Sequence, residues 1–207
     1  MLNIFARASV SRVTDPIGAW LVRLGLTPNA MTLIGTACAV LCALWFFPRD
    51  QLLAGTFTVW GFAMFDLLDG AMARAKGGSS TFGAVLDSTC DRVADGALLA
   101  GVAWWAFTVD ENEPLAAATL LCLVLALLTS YVKARAEASG LDGDGGLIER
   151  AERLIITLVG TGLAGFGVPY AVDIAIWVLA VLSVLTVLQR IVAVRRSANE
   201  IARGSRE

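Results

Sequence analysis

Histidine is absent from the 207 residues. No imidazole can serve as a general base, activate a nucleophile or bind a metal, so carboxylates are left for that chemistry, and they favour hard cations such as Mg²⁺ or Mn²⁺. Charge is scarce, at 16% Asp, Glu, Lys and Arg, and the net charge is only −2, so no basic footprint for nucleic acid exists. Cysteine is limited to Cys38, Cys42, Cys90 and Cys122, all in apolar runs. They read as small buried hydrophobes rather than a disulfide framework, and an i, i+4 pair on one helix cannot close a disulfide easily. What fills the chain instead is apolar: 57% of residues are hydrophobic and fall in long runs, which excludes an ordinary soluble domain.

The pattern predicts an all-α integral membrane protein with six transmembrane helices and no internal repeat. Near the start, Val10, Val13, Ile17, Leu21 and Leu24 recur at helical spacing, with Asp15-Pro16 as N-cap and first helical residue and Gly25 as the stop. This N-terminal segment, 1–27, reads as an amphipathic helix lying on the membrane surface. A helix packed on the bundle would give the same periodicity. The six-helix core covers 28–195. Its spans are expected at about 30–47, 52–74, 82–108, 114–136, 153–167 and 171–194, by the rule of roughly 20 residues per crossing. Residues 196–207 form an Arg-rich cytoplasmic tail, expected to fray. No secretory signal is expected, because Arg7, Arg12, Asp15 and Arg23 interrupt the early apolar residues.

The second and third spans carry the informative acids. Asp66 and Asp69 are spaced i, i+3; Asp87 and Asp91 are spaced i, i+4, so each pair shares one helix face. A carboxylate in a membrane helix costs about 2.5–3.5 kcal/mol even on the mild insertion scale. Four in one region require compensating cations, and a pair of divalent metals suits them. Gly70, Ala73 and Gly83 lie beside the acids and leave room for a bulky ligand. The short KGGSST linker makes the two helices antiparallel neighbours, with Ser80 or Thr81 as N-cap of the second. That helix start is also suited to a phosphate.

Of the 16 Lys and Arg, all but Arg49 and Arg92 fall on one side of this layout. The positive-inside rule then puts both termini and the acids in the cytoplasm. Lys133, Arg153 and Arg190 lie at or inside the ends of the fourth, fifth and sixth spans. Convergence of these cations on one cavity would select a phosphorylated ligand over a neutral polyol. Arg195 and Arg196 compete with Arg190 for that role, and Arg135 reads as snorkelling to the headgroups.

The pattern D-x-x-D-G-x-x-A-R at Asp66–Arg74, followed by G-x-x-x-D-x-x-x-D at Gly83–Asp91, resembles the complete signature of the CDP-alcohol phosphotransferases. LTPNAMTLIG and YVKARAEASGLDGDGGLIERAERLII extend the likeness over nearly the whole chain. The resemblance implies a homodimeric, six-span enzyme of the bacterial cell membrane that transfers a phosphatidyl group from CDP-diacylglycerol to an alcohol and releases CMP. It assigns Asp66, Asp69, Asp87 and Asp91 to two Mg²⁺ or Mn²⁺ ions, with Asp91 also the general base. It places Asn29, Ala30, Met31, Thr32, Gly70, Ala73, Arg74 and Ser80 at the donor. It gives Lys133, Arg153 and Arg190 to the phosphate of inositol phosphate (1D-myo-inositol 3-phosphate), with glycerol 3-phosphate as the alternative acceptor.

Two other classes compete. A prenyltransferase also uses Asp-rich metal motifs, but the Gly70, Ala73-Arg74 and Gly83 spacing disagrees with it. A divalent-cation transporter would place its acids at the midplane between repeated halves. Other signals are weaker. Asp142-Gly-Asp144-Gly lacks the third acid and terminal Glu of an EF-hand and reads as a flexible loop over the site. Asp95 is expected to pair with Arg92 or to support the acids. Gly160, Gly162 and Gly165 suit close helix packing, within the subunit or at a dimer seam. The tryptophans, Trp104 and Trp105 included, read as interface anchors.

Overall fold

A chain this apolar, with its five Pro at or near segment ends, satisfies its backbone within helices, as hydrocarbon demands. A computed structural model describes residues 14–78 and 80–204, and its regular elements are all helical. Helix α1 covers 14–23 of the described residues. The others are α2 (Pro28–Phe46), α3 (Leu52–Ala63), α4 (Phe65–Ala75), α5 (Thr81–Thr108), α6 (Glu113–Ala138), α7 (Arg150–Gly165) and α8 (Ala171–Gly204), with a 3₁₀ turn at Phe47–Arg49.

Among the described residues, four stretches are long and apolar enough to cross a membrane: Pro28–Arg49, Leu52–Ala75, Glu113–Ala138 and Ala171–Arg203. Six were expected. Helix α5 has the length, its 28 residues spanning about 42 Å, but Asp87, Asp91, Arg92 and Asp95 dilute its apolar character. Helix α7 has only 16 residues. The expected second span is two helices, parted at Met64, where the amide approaches the carbonyls of Trp60 and Gly61, both at 3.2 Å. The frayed tail is corrected as far as Gly204: α8 is 34 residues long and stays helical past Arg195 and Arg196, while 205–207 lie outside the described residues.

The chain divides into two units. The first holds Met1–Trp45 and Phe57–Leu98. In it α1 ends at Gly25 (φ 88°), as expected, with Leu26 N–H donating to Leu21 O and Gly25 N–H to Val22 O, a paired closure of the last turn. The expected N-cap is corrected, because Thr14 and Asp15 are already helical. Leu21 joins Met31 and Met72 in an apolar core flanked by Phe65 and Leu68. A Cβ on Gly18 would lie 2.8 Å from that of Ala71, so α1 packs directly on α4. Ile17, Trp20 and Leu24 remain exposed on its other face.

The second unit holds Phe46–Thr56 and Leu99–Glu207. Helices α6 and α7 both pack on α8. A Cβ on Gly160 would sit 2.4 Å from Ala175 Cβ, and one on Gly165 would sit 2.6 Å from Leu53 Cγ. These glycines therefore serve packing inside the chain. Thr56 and Thr161 share a buried hydroxyl hydrogen bond of 2.7 Å. Trp105 corrects the interface-anchor reading: it is buried, and its indole donates to Asp50 Oδ1 at 2.7 Å. Trp104 is exposed, as expected of an anchor. The four cysteines are free thiols.

Candidate active site

The break at Met64 positions the first acid. It starts α4 afresh, so Asp66 falls in a helical first turn, where the positive end of the helix favours a carboxylate. Asp69 follows one turn later and is buried. Asp87 comes from α5, whose start is fixed by Ser80: its Oγ accepts the Gly83 amide at 3.0 Å, as the capping pattern predicted. Carboxylate oxygens of Asp66, Asp69 and Asp87 lie within 4.8 Å of one another.

Asp91, the fourth expected acid, follows Asp87 on α5. It is one turn further along α5, with Oδ2 3.7 Å from Arg92 Nη2. The same guanidinium nitrogen is 3.7 Å from buried Asp95, so the expected Arg92–Asp95 pairing is present.

Helix α2 supports the trio. Thr27 Oγ1 accepts the Ala30 amide at 3.2 Å and caps the helix. Thr32 Oγ1 lies 2.5 Å from Asp69 Oδ2 and 3.1 Å from Pro28 O; with one hydrogen to give, the hydroxyl serves the nearer carboxylate. Asn29 and Ser80 meet beside Gly83, where an added Cβ would lie 3.2 Å from Asn29 Oδ1 and 3.1 Å from Ser80 Oγ. A larger residue would separate them. Gly70 faces Arg74, whose Nη1 would be 3.6 Å from a Cβ there. Arg74 Nη2 also pairs with Asp15 Oδ1 at 2.6 Å. Asp15 escaped sequence reasoning because Asp-Pro is such a common helix start. Ala30 and Ala73 are half-buried, while the side chain of Met31 belongs to the apolar core.

The donor set fits a hard divalent cation. It offers three carboxylates from two helices, no nitrogen or sulfur, and one acid oriented by a hydroxyl.

In the second unit two of the expected cations, Lys133 and Arg190, contact the loop between α6 and α7. The Lys133 ammonium contacts the Asp144 carboxylate and lies 3.8 Å from Glu137 Oε1. Arg190 is buried; its Nε donates to Gly145 O at 2.8 Å and its Nη1 to Thr129 O at 2.9 Å. Arg195 and Arg196 are exposed, which leaves Arg190 as the buried cation of α8. Arg153 is buried on α7, just past a reciprocal cap between Glu149 and Glu152. Arg135 is exposed. The Lys133 ammonium, by hydrogen bond and then by charge, holds the Asp144 carboxyl below its ordinary range, and Arg190 adds to this. The loop is not the loose segment expected. Asp142 N–H donates to Ser197 Oγ at 3.0 Å, and Ile148 N–H to Thr186 Oγ1 at 3.1 Å.

An acid trio joined to a small-residue cradle in a helical membrane chain defines a class. The CDP-alcohol phosphatidyltransferase profile matches residues 25–188, and the chain belongs to that family. Within it, the chain is 54% identical over 198 residues to the phosphatidylinositol phosphate synthase of Mycobacteroides abscessus, covering 95% of this chain and 90% of that one. It is 51% identical over 205 residues to the Mycobacterium tuberculosis synthase, covering 98% and 94%. Among solved structures it is similar to the M. tuberculosis enzyme with CDP-DAG bound (TM-score 0.86, 53% identity, 88% of this chain and 94% of that chain). It is also similar to that enzyme in complex with manganese and citrate (TM-score 0.87, 52% identity, 89% and 90%).

Proposed function

We propose that this protein is a phosphatidylinositol phosphate synthase, transferring the phosphatidyl group of CDP-diacylglycerol to inositol phosphate and releasing CMP. The observation that carries this reading is the Asp66, Asp69 and Asp87 trio, in a chain about half identical to synthases of that name. These three residues would hold the divalent metal, with Asp91 beside them. When bound, two Mg²⁺ or Mn²⁺ ions neutralise the donor diphosphate and stabilise the oxygen that leaves with CMP.

The chain's own residues do the rest. Asn29, Thr32, Ser80 and Arg74 bind and orient the donor, and Gly70, Ala73 and Gly83 let it approach the backbone. Asp91 takes the proton from the acceptor hydroxyl, which attacks the donor phosphorus directly. The half-buried setting of Asp91 supports this role, because a base needs access to its proton. Lys133, Arg153 and Arg190 bind the acceptor phosphate. Arg190 supports this assignment, since its described hydrogen bonds go to neutral carbonyls and leave its charge for an anion.

In the membrane, α5 and α7 complete six crossings. The exposed Ile17, Trp20 and Leu24 face of α1 lies in the headgroup boundary, and the basic ends and the acids face the cytoplasm. The working unit is a homodimer.

The test is CMP release by purified full-length protein from CDP-diacylglycerol with Mn²⁺ or Mg²⁺. Inositol phosphate should support release and glycerol 3-phosphate should support little. Preference for glycerol 3-phosphate would identify a phosphatidylglycerophosphate synthase instead. No release with any polyol phosphate would refute the reading.

A further inference from the structure

The loop between α6 and α7 bears on the cations assigned to the acceptor. The Asp144 side chain is 70% exposed, yet its carboxylate sits against the Lys133 ammonium. It therefore reaches that amine from the solvent side, the side from which a soluble anion arrives. The neighbouring backbone hangs on the second cation, through Gly145 O on Arg190 Nε. A phosphate dianion and a carboxylate cannot share one ammonium without repelling each other at a few ångströms. Phosphate binding at Lys133 thus requires Asp144 to leave.

The loop is built to allow that. Asp144 N–H is held two residues back, by Asp142 Oδ1 at 2.8 Å, in a turn whose Gly143 would place a Cβ 2.8 Å from that of Ala136, so the backbone is seated and the Asp144 side chain projects from it. Glycines with positive φ flank this turn at Gly140 (71°), Gly145 (125°) and Gly146 (119°). Gly146 also lies so close to Thr186 that a Cβ would come within 2.5 Å of its methyl, so the far end of the loop stays seated on α8. The backbone of the turn keeps its place, and the solvent-exposed Asp144 side chain alone rotates off Lys133.

We propose that Asp144 is a built-in occupant of the phosphate-binding cations: without acceptor its carboxylate holds Lys133, and a phosphate monoester binds by displacing it. This deepens the proposed function and rests on its assignment of Lys133. It also supplies selectivity, because a neutral polyol has no charge with which to displace the carboxylate.

The experiment measures binding of inorganic phosphate to the full-length protein by calorimetry. It is run at fixed ionic strength in an uncharged maltoside detergent, which brings no lipid phosphate. Asp144→Asn should bind phosphate about two- to five-fold more tightly than the parent, the range for losing one exposed ion pair. The KM for inositol phosphate should fall by the same factor. Asp142→Asn removes an equal charge two residues away, keeps the turn's acceptor oxygen and touches no cation in the cluster; it should leave the affinity unchanged. Unchanged or weaker binding by Asp144→Asn would overturn the proposal. So would an equal gain from Asp142→Asn, which would reveal a general charge effect. Absence of CMP release by the parent protein would instead refute the assigned reaction, and the phosphate titration would still decide the role of Asp144.

Discussion

Replacing Thr32 by Val removes one hydroxyl and keeps the shape. In the structure that hydroxyl sits 2.5 Å from Asp69 Oδ2, and both residues are buried. A hydrogen bond to a charged group contributes about 1.5–3 kcal/mol, and each 1.4 kcal/mol is tenfold in affinity. Loss of the hydrogen bond that orients a metal-binding carboxylate costs about 10–100-fold in metal affinity. Thr32→Val should therefore raise the Mn²⁺ concentration for half-maximal CMP release by roughly that factor. Direct Mn²⁺ binding, followed by electron paramagnetic resonance, should weaken in parallel. Thr32→Ser keeps the hydroxyl and should retain most of the affinity. If Thr32→Val binds Mn²⁺ as tightly as the parent, or if Ser behaves like Val, the hydroxyl does not orient a metal-binding carboxylate and the reasoning fails.

The role of general base proposed for Asp91 makes a second test. Asp91→Asn should keep Mn²⁺ binding within a few-fold while kcat falls about 10²–10⁴-fold, the range for losing a general base; Asp69→Asn or Asp87→Asn should lose Mn²⁺ binding itself. Gly160→Val would push a side chain into Ala175, 2.4 Å from the added Cβ, and should destabilise the fold by about 1–3 kcal/mol, read as a lower Tm in detergent. Asp144 has a depressed carboxyl pKa in the folded chain, so its ion pair is fully present above the unfolded value and is lost only as pH falls through the lower folded one. Between about pH 5 and 8 the pair is constant, and Asp144→Asn should shift the acceptor KM without changing the shape of its pH profile.

Much of this protein is legible in residue order because its main determinants are local. Helix ends at Ser80 and Gly25 follow from capping chemistry within a few residues, and the structure keeps both. The i, i+3 and i, i+4 spacing of the acids fixes which face each occupies, since helical phase is set by sequence alone. Apolar composition compels a helical membrane chain, because hydrocarbon offers the backbone no other partner.

What the order of residues could not supply depends on partners distant along the chain. Asp66, Asp69 and Asp87 gather because α4 restarts at Phe65 and α5 approaches it, a matter of packing rather than spacing. Arg190 is distinguished from Arg195 and Arg196 only when α6 and a loop carbonyl close over it. Trp105 looks like any membrane-interface tryptophan until Asp50, remote in sequence, accepts its indole hydrogen. Nothing local marks Asp15 or Asp144 as an ion-pair partner, for an ion pair across the fold leaves no pattern in the sequence; only tertiary structure brings Arg74 and Lys133 to them.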